Sequence, residues 1–259
     1  MKLLALETSG AVGSVCLCED DRLLGERSFD GAKQHGRELV PCVHALFREI
    51  GWDPRTGPEL AVVSQGPGSF TGLRVAITFV KTLAYATKCD VIGVPSLDVL
   101  AQNALLPEAA AIRGDAENIG VAVDARRGRV YCGVYSPLFD AQGAQAGAHA
   151  TGSGQAPAPH QVRRRGDMQL LSPAQFLSRL KRPALMIGDG LAAYGDQFKQ
   201  DGLVPTPESL WIARAYVVAG LGFAAYRRGR RDKALELTPL YLRIPEAEEV
   251  RLKKLGKLE

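Results

Sequence analysis

The sequence predicts an α/β protein built from two related lobes, and three observations lead there. Residues 2–7, 13–18 and 22–29 read as a three-strand meander, which helices at 35–50 and 70–87 continue into parallel crossovers. A second stretch echoes that opening: strands at 119–124 and 130–135 flank Asp124-Ala-Arg-Arg-Gly128, as the first two strands flank Glu7-Thr-Ser-Gly10. Finally, 259 residues at roughly 150 per domain give about 1.7 domains, enough chain for one large or two small lobes with a real core.

Each element has its reason. Turn signals at Ser9-Gly10 and Asp20-Asp21 separate the first strands. The 35–50 helix carries Leu39, Val43, Leu46 and Ile50 at i, i+4, i+7 and i+11, with Pro41 predicting a late start or a kink. Leu60–Ser64 is a buried strand, a GPG turn follows, and residues 91–94 form another short strand. Residues 136–167, rich in Ala, Gly, Gln and Pro and ending in Arg163-Arg164-Arg165, have no periodic apolar face and read as a mobile insertion. Order resumes with a helix near 172–181, with Ser172 as N-cap and Pro173 at N1. A strand at 184–188, a GDG turn and a long helix from Thr206 to about 226 close the pattern. Past its opening Glu208 that last helix carries one charge, Arg214, and so must be largely buried.

Composition narrows the function classes. Apolar residues make up 46% and charged residues 23%, the balance of an ordinary globular protein. No run of 18 residues lacks a charge or strong polar break, so no membrane span is expected. The apolar run Leu3–Leu6 before Glu7 is too short for a signal sequence. Five cysteines without a CxxC pair, Cys16 and Cys18 alternating along a strand, read as reduced thiols in a cytoplasmic protein. The net charge of +4 lies in residues 227–259, which hold ten Lys/Arg against six acids. This basic tail, with RRGRR at 227–231, can lie along phosphates or simply favour a helix C-terminus.

The most specific stretch is Ser64-Gln-Gly-Pro-Gly-Ser-Phe-Thr-Gly-Leu-Arg74. Gly66 and Gly68 permit a tight backbone and close approach of a second group, and the amides that follow open a helix, a ready anion site. No lysine follows, so this is not a Walker loop; a ligand-free strand-to-helix turn explains the same residues. On the helix, Arg74, Thr78, Lys81, Tyr85 and Lys88 form one narrow polar stripe, and nearly everything else is apolar or small. Such a helix is buried on two sides, by its own core or by another subunit.

Five blocks in order, LLALETSGAVGSVCL, GPGSFTGLR, VIGVPSLDVLA, VAVDARRGRVYCGVY and PLYLRIPEAEEVRLKKLGK, resemble the TsaB (YeaZ) family of the bacterial machinery that makes threonylcarbamoyladenosine at tRNA position 37. The resemblance implies an actin/Hsp70/sugar-kinase-like (ribonuclease H-like) two-lobed fold with a degenerate nucleotide site. It divides the chain into a first lobe (1–103 plus about 206–227), a second lobe (104–205) with insertion 136–167, and the basic tail 228–259.

It also implies a non-catalytic scaffold that pairs with a TsaD-like catalytic subunit, with a TsaE-like ATPase in the ternary complex and a homodimer when alone. The interface is then the helix pair 35–50 and 70–87, with Leu39, Val43, Leu46, Leu73, Ile77 and Val80 as candidate anchors. Two histidines four apart hold the metal in TsaD; those positions fall here on Ser96 and Leu100, neither a substitute for imidazole. His35, His44, His149 and His160 show no ligand spacing. No metal or cofactor is therefore expected on this chain, ATP and metal belonging to the partners. The degenerate nucleotide site would comprise Glu7, Thr8, Gly66, Gly68 and Asp124. The alternative is an ATP-dependent actin-type phosphotransferase or hydrolase, perhaps peptidase-like, with Glu7 and Asp124 as Mg²⁺ ligands. A further reading has tRNA bound through the 227–257 tail and Arg163–Arg165.

Overall fold

The computed structural model describes residues 1–30, 35–138, 162–243 and Arg251. The first sheet is built from β1 (Lys2–Glu7), β2 (Val12–Glu19), β3 (Arg22–Asp30), β4 (Leu60–Gly66) and β5 (Asp90–Pro95), with α1 (His35–Ile50) and α2 (Phe70–Thr87) as crossovers. Next come α3 (Ser96–Ala101), a 3₁₀ turn at Gln102–Leu105 and α4 (Pro107–Arg113). The second sheet follows with β6 (Asn118–Asp124), β7 (Val130–Pro137), β8 (Val162–Arg164), β9 (Gln169–Leu171), α5 (Pro173–Arg179) and β10 (Ala184–Ile187). The described chain continues through α6 (Gly190–Ala193), α7 (Gly195–Phe198), β11 (Leu203–Pro205) and α8 (Ala215–Arg227).

The two sheets share one plan. The first runs β3-β2-β1-β4-β5 and the second β8-β7-β6-β10-β11, with β9 also on β7. In both, a meander supplies the antiparallel pairs and the two later strands are parallel to the first. The echo between Glu7 and Asp124 in sequence is thus a duplication in topology, and the chain has the two-lobed actin/sugar-kinase-like fold.

Alternation along the strands sorts the core. Leu4, Leu6, Ala61 and Val63 face α1 and α2. Leu3, Ala5, Leu60 and Val62 face α8 on the other side. Gly222 lets α8 sit close, since a Cβ there would lie 2.2 Å from Val62 Cγ1. The segment Glu208–Arg227 is apolar enough by composition to cross a membrane; here α8 covers the first sheet with Val218, Ala219 and Leu221.

Several expectations need correction. The last helix begins at Ala215, not at Thr206, and its N-cap is Arg214. Thr206 instead donates its hydroxyl to the Met186 carbonyl and accepts from Trp211 Nε1. This pins a 3₁₀ turn at Glu208–Leu210 before the helix. α1 starts at His35 despite Pro41, which lies on its exposed face, where the carbonyl deprived of an amide donor can face solvent. The insertion is narrower than 136–167, because β7 runs on to Pro137 and Val162–Arg164 returns as β8. His149 and His160 lie outside the described residues.

The capping box at Ser172 is present, with Gln175 reciprocating. All five cysteines are free thiols.

Candidate functional site

Glu7 and Asp124 stand at equivalent places, the last residues of β1 and β6 in the two sheets. Glu7, the last residue of β1, is fully buried. The Ser9 amide donates to Glu7 Oε1, while Oε2 has no hydrogen-bond partner among the described residues. Desolvation raises its pKa above the usual carboxylate value, against hydrogen bonds from Ser9, Ser64 and Thr8 that lower it.

The loop after β4 makes the seal. The Ser69 amide donates to the Ser9 carbonyl at 2.7 Å, and the Thr8 hydroxyl donates to the Gly72 carbonyl at 2.9 Å. Gly68 permits this approach: a Cβ there would fall 2.3 Å from the Ser9 carbonyl oxygen. The Ser69 hydroxyl caps α2 by accepting from the Gly72 amide. The GPGSFTG segment thus spends its turn on Thr8 and Ser9 of its own lobe.

Asp124, at the end of β6, is committed in the same way. Its Oδ1 accepts the Arg126 amide at 2.8 Å and the Tyr194 hydroxyl at 3.0 Å. The Arg126 guanidinium lies 3.4 Å from Oδ2. Arg126 and Arg127 both have positive φ, 63° and 54°, so the side chains that replace a glycine-rich phosphate loop stand in a tight turn. Asp189 of the GDG turn accepts the Asp124 amide at 2.8 Å; its pKa is raised, chiefly by burial.

Residues 238–243 cross from one lobe to the other, a feature that sequence reasoning assigned only to a basic tail. The Leu240 amide donates to the Gln65 carbonyl at 2.7 Å, and Gln65 Nε2 donates to the Thr238 carbonyl at 2.8 Å. Tyr241 stacks on Phe70, ring centres 5.3 Å apart, and its hydroxyl accepts from Arg74 Nε at 3.0 Å. Arg243 Nη1 then donates to the Ala125 carbonyl of the second lobe at 2.9 Å. The one available signal was the PLYLR block, which has a tyrosine and an arginine two residues apart.

The six candidate interface anchors are corrected outright. Leu39, Val43, Leu46, Leu73, Ile77 and Val80 are all buried within this chain. They face the sheet because they occupy the inward arc of α1 and α2. Outward, the pair offers Val40 at 54% exposure and Tyr85 at 75%. Half-buried Val75, Phe79 and Leu83 line the flank of α2, where Val75 approaches Gly36 of α1. The excess apolar character of α2 is therefore divided between the core and this flank.

Ser96 Oγ shares a 2.8 Å hydrogen bond with Ser64 Oγ, and Leu100 is core. Among the described residues no cluster of three or more His, Cys, Asp or Glu converges.

A family model described as TsaD, tRNA N6-adenosine threonylcarbamoyltransferase, matches residues 30–233. The tRNA threonylcarbamoyladenosine biosynthesis protein TsaB of Haemophilus influenzae is 30% identical over 98% of this chain and 97% of that protein. TsaB of Bacillus subtilis is 34% identical over 52% of this chain and 55% of that protein. Among solved structures, YeaZ from Pseudomonas aeruginosa superposes with a TM-score of 0.70 at 28% identity, covering 93% of this chain and 99% of that one.

Proposed function

Because the chain belongs to the TsaB (YeaZ) family and acts in tRNA threonylcarbamoyladenosine biosynthesis, we propose that it is the non-catalytic subunit of that machinery, a scaffold for a TsaD-like catalytic partner. One observation carries this reading. The carboxylates that would serve a nucleotide, Glu7 and Asp124, are sealed under a loop or bonded to their own turn, and residues 238–243 span the cleft between them. Asp124 takes up Mg²⁺ only by giving up those contacts, and the one unengaged oxygen, Glu7 Oε2, is buried.

The partner surface in this reading is the outer face of α1 and α2, centred on Val40, Phe79, Leu83 and Tyr85. Without the partner the same face closes a homodimer, which hides the same apolar flank. A TsaE-like ATPase joins the pair, the partners bring ATP and metal, and the complex works in the cytoplasm.

The test is co-purification with the TsaD-like protein of the same cell, followed by tRNA modification assays with and without this chain. The reading requires a stable complex and activity that depends on adding the chain. Modification that proceeds unchanged without it overturns the scaffold role. Tight ATP binding by the isolated chain, lost in Asp124→Ala, supports the phosphotransferase alternative instead.

A further inference from the structure

The turn between β6 and β7 is closed by two backbone hydrogen bonds. The Ala125 amide donates to the Arg129 carbonyl at 3.0 Å, and the Arg129 amide donates to the Arg126 carbonyl at 3.2 Å. Arg126, Arg127 and Gly128 all have positive φ, at 63°, 54° and 73°. Glycine, asparagine or aspartate suits such positions and a long side chain does not. The turn therefore keeps two arginines against its backbone preference, and strain of that kind persists where the side chains are used.

Arg126, Arg127 and Arg129 are all exposed. Residues 124–129 hold these three arginines against one carboxylate, Asp124, a net charge of +2 on a single turn. Asp124 lies 3.4 Å from Arg126, yet that arginine side chain is 85% exposed. The same carboxylate also accepts the Arg126 amide and the Tyr194 hydroxyl. Arg129 has no acidic partner among the described residues. Like charges held this close repel unless acids join them.

The C-terminal segment arrives at this turn. Arg243 Nη1 donates to the carbonyl of Ala125, at the base of the turn. From Arg243 the sequence runs Ile244-Pro-Glu-Ala-Glu-Glu249, which puts acids three, five and six residues further on. Three residues of chain span at most about 10 Å, so Glu246 is tethered within reach of the arginines. Exposed ion pairs are weak one at a time. A segment tethered beside its target meets it at high effective concentration, and the loop to be closed is short. The order of charges sets the register, because past Glu249 the sequence turns basic with Arg251, Lys253, Lys254 and Lys257, which this turn repels.

We propose that the acidic stretch 246–249 docks on the Arg126, Arg127 and Arg129 turn of its own chain. It forms a latch that carries the hold of residues 238–243 past Ala125 and along the second lobe. The latch does not depend on the scaffold reading, because it is measured on this chain by itself.

The test is zero-length carbodiimide cross-linking of the full chain in Arg126→Lys and Arg129→Lys. Each keeps the charge and supplies an amine for the reagent to join to a neighbouring carboxylate. Mass spectrometry then finds an amide bond from position 126 or 129 to Glu246, Glu248 or Glu249. At about 1 M salt, where the Debye length is about 3 Å, its yield falls several-fold. As a second measurement, Arg126→Glu with Arg129→Glu speeds hydrogen exchange at the Leu240 amide several-fold, and adding Glu246→Arg with Glu248→Arg restores it. Cross-links confined to Asp124, or exchange indifferent to the reversals, overturn the proposal. So does a cross-link that fades on dilution, which assigns the turn to the acidic stretch of a second copy.

Discussion

Arg74 and Tyr241, 167 positions apart in the chain, meet through a 3.0 Å hydrogen bond from the guanidinium Nε to the phenol oxygen. The Arg74 guanidinium also lies 3.8 Å from the Phe70 ring centre, and Phe70 stacks on Tyr241. The first turn of α2 therefore clasps the C-terminal segment on the outer side of the sealed loop.

Tyr241→Phe removes the hydrogen bond and keeps the stack. Its cost is about 0.5–1.5 kcal/mol at most, since the ring is partly exposed. Tyr241→Ala loses the stack as well, worth about 0.5–1.5 kcal/mol more. Urea unfolding measures both, and hydrogen exchange at the Leu240 amide accelerates more in the alanine variant.

Glu7→Gln tests the buried carboxyl. Its folded-state pKa is raised, so the folded chain holds this proton more tightly than the unfolded chain. The resulting stabilisation is full below the unfolded value and is lost as pH rises through the folded value. Glutamine has no charge to desolvate, so the variant gains on the wild type as pH rises from about 4.5 toward neutrality. Denaturation midpoints across that range check this; a variant that loses ground with rising pH refutes it.

Ile77→Glu and Val80→Glu are expected to unfold the chain or cost upwards of about 3 kcal/mol, because both positions are core and the new charge has no partner. Val40→Asp changes stability by only about 0.5 kcal/mol and weakens pairing with the TsaD-like subunit in calorimetry. Pairing untouched by Val40→Asp and Leu83→Asp together removes this face as the interface.

Gly68→Ala places a methyl against the Ser9 carbonyl, a backbone atom that cannot rotate away. A loss of about 1–3 kcal/mol follows, read from thermal melts. Thr8 and Ser9 must shift with it, so near-ultraviolet spectra of the loop's Phe70 change too.

Period and punctuation made α1, α2, the five strands of the first sheet and β6, β7 and β10 of the second legible, whereas the three-residue β8, β9 and β11 carry too little alternation and were missed, β8 being read as part of a mobile insertion. The short α3 and α4 were missed, since six or seven residues carry too little periodicity. The late start of α8 was missed because Thr206 resembles an N-cap while bonding Met186 across the sheet. Glu7 and Asp124 were recognisable from their place before a glycine turn. Their confinement was not, since it depends on Ser9, Gly68 and Tyr194, contacts made across the chain. The interface anchors failed for a related reason: apolar spacing finds a buried face but not which body buries it.

The segment from Leu240 to Arg243 acts as a leash. One end is fixed to Gln65 in the first lobe and the other to Ala125 in the second. Three peptide units reach at most about 10 Å, and the Arg243 side chain, whose Nη1 makes the second bond, adds its own length. Any opening wider than that tether breaks one of its two anchoring hydrogen bonds, so the C-terminal segment sets how far the halves can part before it lets go.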